Sequence, residues 1–397
     1  MKILFVCHRL PFPPKRGGKI RPFNIIRHLK ESGHSVTVGS LARSEEELEE
    51  GQPLREYCDK LIVGRVNAAA ATARMIARLP TAIPSSMGYF YSPGLHREIK
   101  KELQQDRFDL VFVHCSSVAQ YVSSANGVPS ILDFGDMDSQ KWLDYSSYRR
   151  FPLSMGYWIE GTKLCREEKR LARRFDLSTC TTHAELKTLR SFDAARQTDW
   201  FPNGVDAAFF SPTEEPYDRN QVCFIGRMDY YPNQQAMLNF CNSALPLIQL
   251  RRPATKLTIV GAEPSAEIRK LAEKPGVTVT GTVPDVRDYV RGSALSVAPL
   301  AIARGTQNKI LESMAMGVPV ICSKAAAGGV DAVPGRHLLV AESPEQYTDH
   351  VIRLLEKADE RKELSIAARQ RVVSSHSWPA SMTKLDGIIA SVARSVS

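Results

Sequence analysis

Residues Leu300 to Val320 read LAIARGTQNKILESMAMGVPV, and the fold is decided by how this stretch is parsed. Asn308 can start a helix, Ile310, Leu311, Met314 and Ala315 recur at helical spacing, and Gly317 with Pro319 ends it before the apolar run at 318–322. The pattern is loop, short helix, buried strand. Gly305 lets the backbone approach a ligand closely, and the unpaired N–H groups of the first helical turn favour an anion such as a phosphate. Glu312, one turn further in, can accept hydrogen bonds from vicinal hydroxyls such as those of a ribose. Taken alone, the stretch is equally well read as a helix packed on a parallel sheet with Glu312 in solvent.

Upstream, strands and helices alternate. VCFIG from Val222 leads to Arg227, to MDYYPN, and to a helix carrying Ala236, Leu238 and Phe240. Lys256 to Val260, Val277 to Thr280 and Ala294 to Pro299 read as further strands, and Gly281 to Val286 as a strand-to-helix loop. This alternation predicts a doubly wound parallel sheet.

The first half repeats the plan. Lys2 to Cys7 is a buried strand, followed by HRLPFPPKRGGKIRP, a helix ending near Gly33, and a strand from His34 to Val38. Gly17 and Gly18 precede that helix, flanked by Lys15, Arg16, Lys19 and Arg21, which suits either a phosphate or sugar contact or a tight turn with solvated charges. DLVFVH places His114 at a strand's carboxyl end, where open α/β sheets bind ligands, and the strand from Ser130 to Phe134 does the same for Asp133, Asp136 and Asp138. Asp136 and Asp138 form a D-x-D pair, read as acceptor contacts or as turn and cap residues in preference to metal ligands. Further on come a basic helix from Gly156 to Phe175, a strand from Leu177 to Thr182, and capping-box spacing from Thr182 to Glu185. The polar, Pro-containing SPTEEPYDRNQ has the character of a linker.

The Glu312 stretch, with Ser-Met-Ala-Met-Gly-Val-Pro-Val after it, resembles the donor-binding segment of GT-B glycosyltransferases of the family 4 type. There the pattern is Glu, seven residues, Glu; Arg304 stands here at the first position. Pro202-Asn203-Gly204-Val205-Asp206 resembles the turn before that family's interdomain linker, and the wording GTQNKILE resembles sugar transferases of PEP-CTERM exopolysaccharide systems. The resemblance implies a GT-B fold of two Rossmann-like domains facing a cleft. Residues 1–206 would form the acceptor side, with a C-terminal helix at 377–397 packing back on it, and 207–376 the donor side. It assigns Gly226 and Arg227 to a diphosphate, Glu312 to the ribose, Val283 and Asp285 to the base, and Gly17, Gly18, Arg304, Gly305, Thr306, Gln307 and Asn308 to the wider donor site. The family often carries a Lys about five residues after the Arg, where this chain has Pro232 and Asn233; Lys309 is expected to supply that charge. His114 would orient donor or acceptor near the anomeric carbon, with Asp133, Asp136 and Asp138 on the acceptor side.

Composition sets the outer limits. A chain of 397 residues is comfortable for two domains. No apolar run approaches the roughly 20 residues that cross a bilayer, and MKILFVCH lacks a signal-peptide pattern, so a cytoplasmic protein is expected. Eight scattered cysteines without a Cys-x-x-Cys pair suggest reduced thiols. The net charge of +9 falls mostly in residues 1–205, which hold 30 Lys and Arg against 23 Asp and Glu. That excess fits a phosphorylated substrate or an anionic membrane, peripherally on the inner face of the plasma membrane, better than nucleic acid, for which no fold signature is present. The basic, aromatic stretch at 67–98, with no acid from Val66 through Arg97, is either loop and surface helix or a lip toward membrane or lipid-linked acceptor. The expected function is retaining, metal-independent hexosyl transfer without cofactor, from a UDP- or GDP-linked sugar to a hydroxyl of a glycan or lipid-linked acceptor in polysaccharide synthesis. A nucleotide-sugar epimerase and a non-catalytic nucleotide-sugar-binding protein are the alternatives.

Overall fold

The computed structural model describes residues 1–14, 17–125 and 127–396, and Lys15 and Arg16 of the glycine loop lie outside them. The first seven strands are β1 (Lys2–Cys7), β2 (Ser35–Ala42), β3 (Lys60–Arg65), β4 (Leu110–His114), β5 (Ser130–Asp133), β6 (Leu177–Cys180) and β7 (Thr198–Trp200). They form one parallel sheet in the order β3-β2-β1-β4-β5-β6-β7. The inner strands are buried on both faces, as crossover helices require, and their sequences are accordingly continuous apolar runs. The register pairs Cys7 with His114, His114 with Asp133, and Asp133 with Thr179. That alignment brings four strand ends to one edge, with His8 following β1.

The second sheet contains β8 (Asp218–Ile225), β9 (Lys256–Val260), β10 (Val277–Gly281), β11 (Ser293–Ala298), β12 (Val320–Cys322) and β13 (Leu339–Val340), again all parallel, in the order β10-β9-β8-β11-β12-β13. Its core joins Phe224, Ile259, Leu295 and Ile321 from the strands to Ile310, Leu311 and Met314 from the helix Asn308–Ala315. With Ala315, also buried there, those are the apolar positions that helical spacing picks out. Strands β8 and β9 are followed by Gly226 and Gly261, which approach so closely that a Cβ on Gly261 would lie 1.8 Å from the Gly226 carbonyl oxygen. Only glycine fits there.

The chain divides into one unit of Met1–Pro202 with Met382–Ser397, and another of Asn203–Ser381. The C-terminal helix is Trp378–Val396, and its Asp386 bonds His28 of the first unit at 2.8 Å. All eight cysteines are free thiols, seven of them buried.

Some local expectations are revised. The stretch after Val66 contains three helices, Ala68–Ala77, Ser85–Tyr89 and Pro93–Gln105, the last burying Leu95 and Ile99 against the sheet. The basic helix begins earlier, at Leu153, and runs to Arg174. At Thr182 the capping side chain accepts from the Glu185 N–H at 3.1 Å, and the Glu185 carboxylate also accepts from the Met137 N–H at 3.0 Å. Glu185 thus ties down the loop after β5 as well as its own helix.

Candidate functional site

In the second unit, the residues gather at the carboxyl ends of β8 and β11. The helix Asn308–Ala315 begins after Gln307, which gives no side-chain cap, and its first turn carries no acidic residue. An uncapped helix start leaves donors for an anion. The approach loop is bent by Gly305, at φ +64°, and held by Gln307 Nε2 donating to the carbonyls of Arg304 and Gly305 at 3.1 and 3.3 Å. Thr306 Oγ1 in the same loop is buried without a hydrogen-bond partner among the described residues.

Lys309 is half-buried and reaches back over β8. Its ammonium donates to Asn233 Oδ1 at 2.5 Å and lies 4.7 Å from the centre of the Phe224 ring. Asn233 in turn donates from Nδ2 to the Arg227 carbonyl at 2.7 Å. A Cβ on Gly226 would come within 2.8 Å of Asn233 Nδ2 and 3.1 Å of Lys309 Nζ, so the amine stands directly against the glycine turn. Burial pushes the Lys309 pKa down to about 7, against the opposing pull of Glu312. Burial likewise pushes Glu312 up to about 7, with Lys309 working the other way. The two groups hold each other near the point of titration.

Arg227 differs from expectation. Its guanidinium is exposed and already bonded to Asp229, at 2.9 and 2.6 Å, and to Glu263 at 2.7 Å. An anion must compete with two carboxylates for it. Asp285 is also occupied, by the Arg287 fork, with Nη2 at 2.5 Å and Nε at 2.8 and 3.0 Å from its carboxylate oxygens, and Val283 is half-buried against the small cluster around Val290 and Val318. The side chain of Asp285 is therefore committed within its own loop.

The first unit has a separate constellation at its own strand ends. Asp133 is fully buried and accepts the Arg21 fork at 2.8 and 3.0 Å, His114 Nδ1 at 2.8 Å and Thr179 Oγ1 at 3.0 Å. Burial alone would raise its pKa, but Arg21 and His114 override it and hold the carboxyl well below the usual carboxylate range. Arg21 also donates to the Phe201 carbonyl at 3.1 Å and stacks 3.6 Å from that ring. This corrects two expectations. Asp133 orients His114 and is not available to an acceptor, and Arg21 is a buried structural partner, not a solvated flank of the glycine turn. Lys19 is similarly used, donating to the Phe12 carbonyl at 3.4 Å and pairing with Glu47 at 3.5 Å. Gly17 and Gly18 open the helix Gly17–Glu31.

Asp136 is exposed and accepts from Thr181 Oγ1 at 3.0 Å, while Asp138 turns inward, 3.9 Å from Cys115 Sγ. Burial pushes the Asp138 pKa up, with the Asp136 charge adding to it and Lys141 opposing. Among the described residues no group of three or more His, Cys, Asp or Glu side chains is arranged to hold a metal ion.

The sequence reading missed His8. Its ring lies 5.9 Å from that of His114, and its buried Nδ1 has no hydrogen-bond partner among the described residues. Burial, then the charge of His114, keeps its pKa well below the ordinary histidine value. The available signal was its place directly after the first strand, the edge that drew attention to His114. Asn233 and Phe224 were also missed as the supports of Lys309, because neither is near it in sequence.

Two family models match the chain, Glycosyltransferase Family 4 over residues 16–209 and Glycosyl transferases group 1 over residues 219–357, and between them they take in most of it. A Bacillus subtilis protein assigned as the teichuronic acid biosynthesis glycosyltransferase TuaC is 23% identical over 376 residues, covering 85% of this chain and 84% of the relative. The phosphatidyl-myo-inositol mannosyltransferase of Mycolicibacterium smegmatis is 25% identical over 334 residues, covering 81% and 76%. Among solved structures, Anabaena HepE in complex with UDP superposes with a TM-score of 0.71 at 14% identity, covering 98% of this chain and all of that one, a likeness of fold. Two parallel Rossmann-like sheets, each lying largely in a segment matched by a glycosyltransferase model, place this chain in the family of GT-B glycosyltransferases.

Proposed function

We propose that the protein transfers a hexosyl residue from a nucleotide-sugar donor to a hydroxyl of a glycan or lipid-linked acceptor, with retention of anomeric configuration, in cell-surface polysaccharide or exopolysaccharide synthesis. The observation that carries this reading is the Lys309 ammonium held by Asn233 against Gly226, at the uncapped start of the helix that also presents Glu312. A diphosphate seated there would meet a cation and helix N–H groups together, which is where charge develops as a nucleoside diphosphate departs. Glu312 would take the ribose hydroxyls, and the loop around Val283 and Asp285 would lie by the base, using backbone groups since the Asp285 carboxylate is engaged by Arg287. Arg304, Gly305, Thr306, Gln307 and Asn308 would line the phosphates and the sugar. His114, fixed by Asp133, would act at the transferred sugar, and Asp136 on the acceptor side.

A UDP-linked donor is the first choice because the structural neighbour HepE is in complex with UDP. The names of the relatives support a cell-surface glycan product, and the GTQNKILE wording supports an exopolysaccharide system. A nucleotide-sugar donor suits the cytoplasmic side, and no metal is invoked. The test is incubation with UDP- and GDP-sugars, with and without acceptor lipids or glycans, and assignment of the product anomer by NMR. Transfer with retained configuration is expected. Epimerisation of the donor without acceptor, or tight binding with neither hydrolysis nor transfer, would overturn the proposal.

A further inference from the structure

A cavity of about 1110 Å³ opens in the second unit at the amino ends of its strands, the edge opposite Gly226 and Lys309. Its lining includes Tyr217 just before β8, Ser293 at the start of β11 and Pro319 just before β12. One wall is the helix Ala358–Ser375, which turns Leu364, Ala368 and Val372 into the core as an amphipathic helix should. Two further apolar residues of that helix, Ile366 and Val373, lie two turns apart on another face. They are 49% and 46% exposed, and they line the cavity together with Met316 and Val318.

Beside this apolar wall stand three arginines. Arg361, 5% exposed, donates from Nη2 to the Tyr217 hydroxyl at 2.9 Å and from Nη1 to the Leu354 carbonyl at 2.5 Å. Half-buried Arg369 donates from Nη1 to the Ala315 carbonyl, and half-buried Arg291 donates to the carbonyl and hydroxyl of Ser211 at 2.7 and 3.2 Å. All of these acceptors are neutral, and among the described residues none of the three guanidiniums is paired with a carboxylate. Leu354 and Ala315 lie at the carboxyl ends of their helices, each worth only about half a negative charge. The acidic side chains of the lining, Glu215 and Asp359, are exposed, and so is Lys362, which offsets one of them. Cations withdrawn from water are ordinarily paired, so an anion is the missing partner, and the apolar wall indicates what that anion is attached to. We propose that this cavity binds a small aliphatic anion, its carboxylate or phosphate head meeting the arginines and its chain lying along Met316, Val318, Ile366 and Val373. The volume matches pockets that enclose drug-sized molecules, about 300–1,000 Å³. A second copy of this chain would bring the same arginines against themselves. The inference goes beyond the donor reading and does not rest on it, because the cavity lies at the other edge of the sheet.

The test is isothermal titration calorimetry of the full chain with decanoate, decyl phosphate, decanol and inorganic phosphate, the amphiphiles kept below their micelle concentrations. Decanoate and decyl phosphate should each saturate at one molecule per chain, the tighter of the two naming the head group, while decanol and inorganic phosphate bind at least about tenfold more weakly. Ile366→Asp combined with Val373→Asp, at positions already half in solvent, should weaken both amphiphilic anions at least about tenfold, and Ile366→Asp alone serves if the pair melts early. Arg369→Gln should weaken them by about tenfold and leave decanol unchanged, with Arg291→Gln taking its place if that variant melts early. Saturating UDP should leave decanoate bound. Absence of saturable binding by either anion up to about 1 mM, decanol binding as tightly as decanoate, or equal affinity in wild type and the aspartate variants would overturn the proposal. So would displacement of decanoate by UDP, which would move the anion to the donor edge, or a wild-type dimer in sedimentation that the aspartate variants dissociate, because the cavity would then face a second copy.

Discussion

Lys309→Met removes the amine against Gly226 while keeping most of its apolar length. In the free protein burial sets its pKa at about 7, with Glu312 holding it from falling further. A diphosphate against the amine favours the protonated form, so the donor complex keeps a proton that the free protein gives up above pH 7. The sign follows: affinity is highest where Lys309 is already charged and falls as pH rises through about 7. The fall approaches tenfold per pH unit above pH 7, so that from the fully protonated form to about pH 8.5 it amounts to roughly 2 kcal/mol, or about thirtyfold. Glu312 titrates in the same range, so the pair exchanges a proton as a unit; Glu312→Gln, which withdraws the supporting charge, should move the decline to lower pH. Calorimetry with a UDP-sugar in two buffers of different ionisation enthalpy reads the proton uptake directly. In Lys309→Met the uptake should vanish, and turnover should drop roughly 10²-fold or more with the melting temperature little changed. Arg227→Ala should cost less, because Asp229 and Glu263 already hold that guanidinium. An unchanged pH slope and near-normal turnover in Lys309→Met would refute the reasoning and pass the charge to Arg304 or Arg227.

Three further outcomes are expected. Burial raises the pKa of Glu168 to about 8, its bonds to Ser139 opposing, so the folded chain holds an extra proton between about 4.5 and 8 and loses stability as pH rises through that window, by about 3 to 5 kcal/mol. Glu168→Gln should flatten that decline in thermal melts at pH 6 and 9, and an identical slope in both proteins would count against it. Asp133→Asn leaves the buried Arg21 without its counter-charge and should cost about 3 to 5 kcal/mol in denaturant melts; because the Asp133 pKa is depressed, the wild-type contribution is complete above about pH 4 and lost only in stronger acid. A loss under 1 kcal/mol would mean that water or a neighbour replaces the carboxylate. Finally, transfer activity should survive EDTA, whereas loss on chelation with rescue by manganese would restore Asp136 and Asp138 as cation ligands.

Local sequence determined the elements. Apolar runs of strand length separated by helical spacing specify parallel sheets, and Ile310, Leu311, Met314 and Ala315 specify the buried face of the central helix whatever lies beyond it. Strand ends and helix starts are legible for the same reason, so His114 at the end of β4, and Lys309 and Glu312 in the helix Asn308–Ala315, stand out from one chain. Tertiary structure alone decided which charges are spent. Arg21 and Asp133, 112 residues apart, meet through the register of β1, β4 and β5 and the helix after β1. Arg227 is drawn to Glu263 across neighbouring loops, and Lys309 to Asn233 and Phe224. Hydrophobic periodicity is a property of consecutive residues, whereas the partner of a charge is fixed by sheet order and by the few ångströms that separate loop ends.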